Sequence, residues 1–327
     1  MNSKSLPAAV LLSGVVGTLP AVFADAAEAA PQQNQQITRR IKVSANTANL
    51  EEYRKLAEFA KDLGATHLGA DQIEPSMWQW NADRRDPYPN WSLQRPTLFK
   101  YIVPKELEKY LPADYAKRNL DTLAARVKIL KEFGLKATFN GMEPAYLPEQ
   151  AYREHPEWRG PRCDQTRRSR KAYYAPCLDN PEMRRIYVDA VAELCKTAPF
   201  ETFELMTNDS GGGLCWYPRL YPGQNGPAAC YGVPLADRIV NFLSIFQEGA
   251  AKAGIPDAEV NLSRYFTAAD IENALPKLKK NQAIAGRTTQ GKSFSTTIGY
   301  MSGHNEHTYP VAGLSRIVKI ASQLQAA

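Results

Sequence analysis

A regular alternation of helical and strand-like segments is the feature that most limits the fold of this chain. Apolar residues recur at helical spacing in five segments, and each is followed within a few residues by a short apolar strand pattern. The predicted helices are 50–63, 115–133, 181–196, 235–253 and 268–279, and the strands that follow them are 66–71, 135–140, 200–206, 258–262 and 282–285. This alternation indicates a parallel sheet, because each helix returns the chain to start the next strand.

Loop lengths decide between the folds that contain such a sheet. The helix-to-strand connections are short, whereas the strand-to-helix loops 72–114, 141–180 and 207–234 are long and rich in Trp, Tyr and Pro. This asymmetry is typical of a barrel with a catalytic face. The common glycine-rich nucleotide-binding motifs are absent from the sequence. The predicted fold class is therefore α/β, a (β/α)8 TIM-type barrel.

The number of predicted strands leaves the barrel's completeness open. Six or seven strands can be read from the sequence, so either a further strand lies in 97–103 or 294–300, or the barrel is incomplete at the C-terminus. A last helix is predicted over 312–324.

The N-terminus is predicted to be a secretory signal. Lys4 precedes an apolar run over 6–23, and small residues follow that suit cleavage after Ala24 or Ala29. Two prolines and two glycines interrupt the run, which disfavours a transmembrane anchor. The predicted organisation is a signal peptide over 1–29, a linker over 30–37 and a catalytic barrel over 38–327. The mature protein is expected to be secreted or periplasmic, with no membrane partner.

Because the mature protein is predicted to be exported, we expect four of the five cysteines to form disulfides. The spacing favours the pairs Cys163–Cys177 and Cys215–Cys230. Each would close a loop of about fifteen residues and contribute roughly 3 kcal/mol. The two other pairings stay open, and a zinc site built from all four is an alternative that the lack of a Cys-x-x-Cys pair disfavours. Cys195 lies on the apolar side of its helix and is predicted to be a buried free thiol.

Charge and histidine content argue against other classes of partner. The net charge is +6, and the basic residues cluster only over 159–171. That cluster is predicted to be a solvated loop rather than a grip for phosphate or an acidic polymer, since no nucleic-acid module accompanies it. The pair His304 and His307 is likewise predicted to lie in a solvated loop rather than to bind a metal or a sugar hydroxyl. We therefore predict no nucleic acid partner, no metal and no cofactor.

Polar residues follow the predicted strands where their carboxyl ends meet. They are Asp71, Asn140, Glu143, Asn208, Asp209, Asn261 and Arg264. Two acids converging on one cleft are the minimum for glycoside hydrolysis. Asp209 has a competing interpretation as a turn residue, because Asp-Ser-Gly favours an Asx turn.

All five tryptophans lie in the long strand-to-helix loops. Flat aromatic rings there are suited to stacking against sugar rings, although any single tryptophan is more often a core residue than a ligand platform. Trp216 and Tyr217, which follow the strand over 200–206, are the aromatic residues predicted to bind substrate.

Several consecutive segments resemble the barrels of glycoside hydrolases. They are the helix over 115–133, the strand that ends in Asn-Gly-Met-Glu143, the helix start Cys177-Leu-Asp-Asn-Pro-Glu-Met-Arg184, and the strand Phe-Glu-Leu-Met-Thr-Asn-Asp209. The pattern, over about 115–265, is similar to family 20 β-N-acetylhexosaminidases and family 67 α-glucuronidases. In family 20 the corresponding strand ends in Asp-Glu, where the Asp orients the substrate acetamido group and the Glu is the general acid.

The chain departs from the family 20 pattern at that pair, because Asn208-Asp209-Ser210 stands where the family has Asp-Glu. If Asn208-Asp209 replaces the pair, Asp209 is the acid and Asn208 binds substrate. If Asp209 matches the Asp instead, Ser210 occupies the place of the acid and that mechanism fails.

The function predicted from the sequence is an exported glycoside hydrolase that cleaves an oligo- or polysaccharide by carboxylate general acid catalysis. Asp209 is the predicted general acid and Glu143 the second catalytic residue. The predicted substrate-binding residues are Asn208, Asn140, Trp216, Tyr217, Asp71 and Arg264. The alternative is a non-catalytic exported carbohydrate-binding barrel. A metal-dependent sugar isomerase is disfavoured, because it needs a cluster of ligands from four strand ends that the sequence does not show.

Overall fold

The computed structural model describes most of the chain between residues 40 and 299. The described ranges are 40–44, 49–71, 96–144, 146–163, 171–207, 213–217, 225–263, 266–292 and 295–299. Contacts group residues 38–327 into one unit, apart from residues 1–37. The predicted signal peptide and the predicted helix over 312–324 lie outside the described residues.

The five predicted helices are confirmed, with small changes at their ends. The helices are α1 Leu50–Asp62, α2 Ala113–Phe133, α3 Glu149–Glu154, α4 Pro181–Thr197, α5 Leu235–Lys252 and α6 Ala268–Ala274. α6 is shorter than predicted and is followed by a 3-10 turn, Leu275–Lys277. Pro276 explains the early end, because a proline inside a helix lacks the donor N–H and clashes with the preceding turn. Of the helices described, none is long and apolar enough to cross a membrane.

Capping residues fix where two of the long helices begin. The Asn49 side chain accepts hydrogen bonds from the amides of Glu51 and Glu52 at the start of α1. Asn180 does the same for the amides of Glu182 and Met183 at the start of α4. Such side chains satisfy amides that have no partner within the helix.

The strands form one large sheet and one small hairpin. They are β1 Arg40–Ser44, β2 His67–Gly69, β3 Lys136–Met142, β4 Arg159–Arg162, β5 Tyr174–Pro176, β6 Thr202–Met206, β7 Glu259–Ser263, β8 Gln282–Ile284, β9 Arg287–Thr288, β10 Gly291–Lys292 and β11 Ser295–Gly299. The order in the large sheet is β10-β9-β8-β7-β6-β3-β2-β1-β11. All neighbours from β11 to β8 are parallel, and β9 and β10 add antiparallel pairs at one edge.

The mainly parallel sheet confirms the α/β class and all five predicted strands. β11 lies within 294–300, one of the two places proposed for a further strand. The other, 97–103, contains a 3-10 helix, Leu98–Lys100, instead. β1 was not predicted as a strand.

The sheet is strongly curled, as a contact across its interior shows. In a flat sheet β1 and β7 would lie four strand spacings apart, about 19 Å. The Lys42 ammonium on β1 nevertheless lies 2.7 Å from Glu204 on β6 and 3.2 Å from Glu259 on β7. β11 also pairs with β1, so the last described strand returns to the first. Within the described residues no pairing joins β11 to β8, β9 or β10, so a complete barrel is not shown.

The apolar core lies between the outer face of the sheet and the helices. Alternate residues of a strand point to opposite faces, so Phe203 and Leu205 face outward when Glu204 faces inward. Phe203 packs against Phe246 of α5 with ring centroids 5.6 Å apart. Both Phe203 and Leu205 are almost completely buried. The helices therefore cover the outside of the sheet, and the inner face is left to polar side chains.

The two predicted disulfides do not form, and all five cysteines are free. The β4–β5 hairpin explains the first correction. The Cys163 amide donates to Tyr173, whereas the Cys177 amide donates to Trp158 near the opposite end of the hairpin. Four residues of extended strand separate Tyr173 from Cys177, about 13 Å, which is too far for a disulfide.

The second predicted pair is not bonded because its cysteines share a cluster with Cys177. The Cys215 sulfur lies 3.6 Å from the Cys177 sulfur and approaches Cys230 without bonding to it. The prediction for Cys195 is confirmed: it is a buried free thiol, and burial raises the pKa of this thiol to about 12.

We expect Gly134→Ala to destabilise the fold through backbone strain alone. Gly134 ends α2 with φ +69°, and an added Cβ would meet no atom within 4 Å. A side chain in this left-handed conformation costs about 1 kcal/mol of the free energy of unfolding, measurable by urea denaturation. Gly232→Ala is the matched control, because that site is also open and its φ is not positive. Equal losses in the two variants would contradict the explanation.

Candidate functional site

A row of polar side chains crosses the inner face of the sheet, from the end of β2 through β3 to the middle of β6 and β7. The strand register pairs Asn140 with Glu204 and Glu204 with Asn261. The Asn140 amide group donates to Asp71 at 3.1 Å, and the Asn261 amide group donates to Glu204 at 2.7 Å. Four strand regions thus contribute to one row: β2 through Asp71, then β3, β6 and β7.

Lys42 supplies the positive charge beneath this row. Its side chain is 1% exposed, while those of its partners Glu204 and Glu259 are 16% and 18% exposed. One buried cation therefore faces two carboxylates that retain some contact with solvent. Because an uncompensated buried charge is strongly destabilising, these residues hold each other in place.

Sequence reasoning missed Lys42, Glu204 and Glu259 as members of the interior. Glu204 lies within a strand that was identified from its apolar alternation, and that same alternation puts it on the opposite face from Phe203 and Leu205. The strand period was thus the available signal for Glu204. Lys42 carried no comparable signal, since β1 was not recognised.

Asp71 is a buried acid with an altered proton affinity. Burial raises the pKa of its carboxyl group, and the hydrogen bond from Asn140 opposes that shift in part. The residue is only 4% exposed. Because desolvation penalises the charged form, Asp71 keeps its proton to a higher pH than an exposed aspartate does. This is the property that a general acid needs.

Glu143 lies at the carboxyl end of β3 and joins it to two neighbouring segments. Its Oε1 accepts a hydrogen bond of 2.5 Å from the Leu98 amide, and its own amide donates to the Met206 carbonyl at 3.0 Å. The side chain is 1% exposed. Glu143 therefore sits beside the end of β6, inside the protein rather than on an open surface.

The segment that contains Asn208 and Asp209 lies outside the described residues, as does Arg264. The residues on either side of that segment, Thr207 and Gly213, are described. A Cβ on Gly213 would come within 2.6 Å of the Thr207 side chain and 3.0 Å of the Glu143 carbonyl oxygen. Both flanks of the segment thus lie next to Glu143, and only glycine fits at 213.

The two predicted aromatic platforms take part in packing between loops. The Trp216 indole donates to the Pro227 carbonyl at 3.0 Å, and its ring meets Tyr231 edge to face at 4.6 Å. The Tyr217 hydroxyl donates to Asp270 at 3.2 Å, and the residue is buried. Trp216 is half-buried, so of the two only its ring retains appreciable exposure.

A second tryptophan, Trp158, supports the packing interpretation outright. Trp158 is 1% exposed, stacks on His155 with centroids 3.7 Å apart, and donates its indole N–H to Glu182 at 2.8 Å. Trp78, Trp80 and Trp91 lie outside the described residues.

A pocket of about 680 Å³ lies in the segment between β3 and α4. Its size is in the usual range for small-molecule sites. Its lining includes four tyrosines, three basic residues and one acid: Tyr146, Tyr152, Tyr173, Tyr174, Arg153, Arg159, Lys171 and Glu149. Burial raises the pKa of the Tyr146 hydroxyl to about 12.

The same pocket revises the interpretation of the basic cluster. Arg159 and Lys171 were predicted to lie in a solvated loop, and both are exposed, but they also line this pocket. The Arg159 guanidinium lies 3.8 Å from the centre of the Tyr174 ring, a cation–π arrangement. Positive charge and aromatic surface therefore occur together here.

No family model and no curated protein matches the chain. Among solved structures, it is similar to a raffinose complex of the family 36 α-galactosidase AgaA from Geobacillus stearothermophilus, at 15% identity and a TM-score of 0.37. It is also similar to the O-GlcNAc hydrolase of Thermobaculum terrenum, at 10% identity and a TM-score of 0.41. The chain is also similar to the α-amylase of Geobacillus thermoleovorans bound to acarbose, at 11% identity and a TM-score of 0.40.

These three alignments cover 69%, 75% and 76% of this chain, in the same order, but only 28%, 40% and 51% of the solved chains. The chain thus spans at most about half the length of these proteins. All three are named as glycosidases, yet likeness at these scores does not assign an activity.

Removing the buried cation, Lys42, should destabilise the fold. We expect Lys42→Met to lower the free energy of unfolding by about 3 kcal/mol, because two carboxylates lose their common partner inside the sheet. Lys136→Met is the matched control: Lys136 also pairs with a glutamate, Glu201, but it is 55% exposed. An exposed pair contributes less than about 1 kcal/mol. Urea denaturation of both variants measures the difference, and similar losses would refute the role given to Lys42.

We expect Asp71→Asn to stabilise the protein near neutral pH. The folded-state pKa of Asp71 is raised, so the native state keeps a proton that the unfolded chain releases near pH 4. The wild type therefore loses stability as the pH rises through the window between the two pKa values, and above it the loss is constant. Urea denaturation from pH 3 to 8 should show the advantage of Asp71→Asn growing through that window. A wild type that is more stable at pH 7 would contradict this.

Proposed function

We propose that this chain is a glycoside hydrolase that acts on an oligo- or polysaccharide at the carboxyl ends of its parallel strands. The observation that carries the proposal is that two buried acids follow neighbouring strands, β2 and β3. Asp71 and Glu143 are buried there, and both flanks of the segment with Asp209 lie beside Glu143. Two neighbouring carboxyl groups are what hydrolysis of a glycosidic bond requires.

Asp209 is proposed as the general acid and Glu143 as the second catalytic carboxylate. The acid protonates the leaving oxygen, while the second carboxylate attacks the sugar, activates water or orients the substrate. Asn140 and Asn208 are proposed to hydrogen-bond sugar hydroxyls. Asp71 is proposed to bind substrate beside Asn140, with its raised pKa making it the next candidate for the acid.

The pocket between β3 and α4 supports a carbohydrate as the ligand. Tyrosine rings offer flat apolar faces and neutral hydroxyl donors, and both suit a sugar. The lining holds three basic residues against one acid, which favours saccharides that carry carboxylate or sulfate groups. Secretion or export to the periplasm is part of the proposal and rests on the N-terminal sequence pattern alone.

A non-catalytic carbohydrate-binding barrel is the second candidate function. The observation in its favour is that two carboxylates near the proposed site, those of Glu143 and Glu204, are engaged within the protein. Glu143 accepts the Leu98 amide, and Glu204 is held by Lys42 and Asn261. A binding protein needs only the polar row and the pocket, without an acid that is free to transfer a proton.

We expect Asp209→Asn to reduce hydrolysis about 10²- to 10⁴-fold, the usual contribution of a general acid. The wild type is first assayed against aryl glycosides and natural glycans, uronic and sulfated ones included. The loss in Asp209→Asn should be smallest on aryl glycosides with very acidic phenols, because such leaving groups depart without protonation. Glu143→Gln should lose activity on all substrates alike.

The matched control is Asp257→Asn, since Asp257 is a 73% exposed aspartate before the amino end of β7. It should hydrolyse every substrate at the wild-type rate. Full activity in both Asp209→Asn and Glu143→Gln would overturn the proposed roles. Glycan binding by calorimetry with no hydrolysis by the wild type would instead favour the binding protein.

A further inference from the structure

Three cysteines and an aspartate from different loops converge at one point next to α5. They are Cys177 and Asp179 before α4, Cys215 in the loop after β6, and Cys230 in the 3-10 turn Ala228–Cys230. One ligand atom from each lies within 4.8 Å of all the others. Cys177, Cys215 and Cys230 are each less than 5% exposed. The residues belong to no part of the polar row or of the tyrosine-lined pocket.

The spacing of the sulfurs matches a tetrahedral metal site. The Cys177 sulfur lies 3.6 Å from that of Cys215 and 3.9 Å from that of Cys230. Three sulfurs that each lie about 2.3 Å from a central zinc ion, at tetrahedral angles, are about 3.8 Å apart. The measured distances bracket that value, whereas a disulfide would need about 2 Å. One carboxylate oxygen of Asp179 completes four donors.

Arg238 supports the cluster from the first turn of α5. Its Nε donates to Asp179 at 2.6 Å, and its two terminal nitrogens donate to the backbone carbonyls of Cys215 and Cys230. The Arg238 side chain is 4% exposed. Three thiolates and a carboxylate carry four negative charges. A divalent ion and Arg238 together supply three positive charges, which nearly balance them. Buried residues that do not bind the metal themselves but hydrogen-bond to its ligands and orient them are typical of metal sites.

We propose that Cys177, Cys215, Cys230 and Asp179 form a structural zinc site. Thiolate-rich tetrahedral donor sets select zinc among the common divalent ions, and four protein ligands leave no open position for catalysis. The site would join the loop before α4 to the loop after β6. It revises the zinc alternative drawn from the sequence, because Asp179 replaces Cys163.

The test begins with the full chain, produced in a reducing compartment with added zinc and purified without chelators. Mass spectrometry of the bound metal should find about one zinc ion per chain. Cys215→Ser and Cys230→Ser should each reduce the zinc content at least tenfold. Cys195→Ser is the matched control, because it makes the same change at another buried cysteine and should keep the zinc.

A second measurement does not depend on whether the variants fold. Chelator-treated wild-type protein is titrated with cobalt(II), which should produce the thiolate-to-cobalt charge-transfer band and the intense visible bands of a tetrahedral site. Zinc should then displace the cobalt and raise the melting temperature. Peptide mapping without reduction should find no disulfide among the three cysteines. A disulfide between two of them, or a wild type with neither zinc nor cobalt bands, would overturn the proposal.

Discussion

The ion pairs of Lys42 inside the curled sheet are the constraint on which the rest of the structure depends. They tie β1 to β6 and β7, neither of which is a neighbour of β1 in the sheet, so they hold its curvature as well as its charge balance. Desolvating three charged groups is expensive, and the cost is offset only when each finds its partners in good geometry. The inner face is therefore committed to polar side chains, and the apolar residues lie on the outer face under the helices.

Because the strands are parallel and in register, the polar inner face continues from Lys42 toward the carboxyl ends of the strands. Glu204 faces Lys42 on one side and Asn261 on the other, and the row continues through Asn140 to Asp71. At the level beyond this row the strands end and the loops begin, so groups placed there rest on a rigid polar base. Chemistry at loop ends needs such support, because a functional side chain must be held in one orientation.

Helices and internal strands were predictable because their signals are local. Apolar spacing located the helices, and α6, which ends early before Pro276, differs most from its predicted range. Interior charges such as Lys42 were not predictable, since their partners come from distant strands. The cysteines show the same limit: spacing suggested the pair Cys163–Cys177, but the hairpin register separates these residues. The positions of Asp209 and Arg264 lie outside the described residues, so their roles stay predictions.

The described residues that line the tyrosine-lined pocket all belong to one stretch of chain, between Tyr146 and Tyr174. This part of the chain also forms the two-stranded sheet β4–β5, which, among the described residues, pairs with no strand of the large sheet. The lining of the pocket and the charged interior of the sheet are therefore encoded by separate parts of the chain. Substitutions or an exchange within this stretch can change the shape and charge of the pocket while Lys42, Glu204 and Glu259 stay as they are.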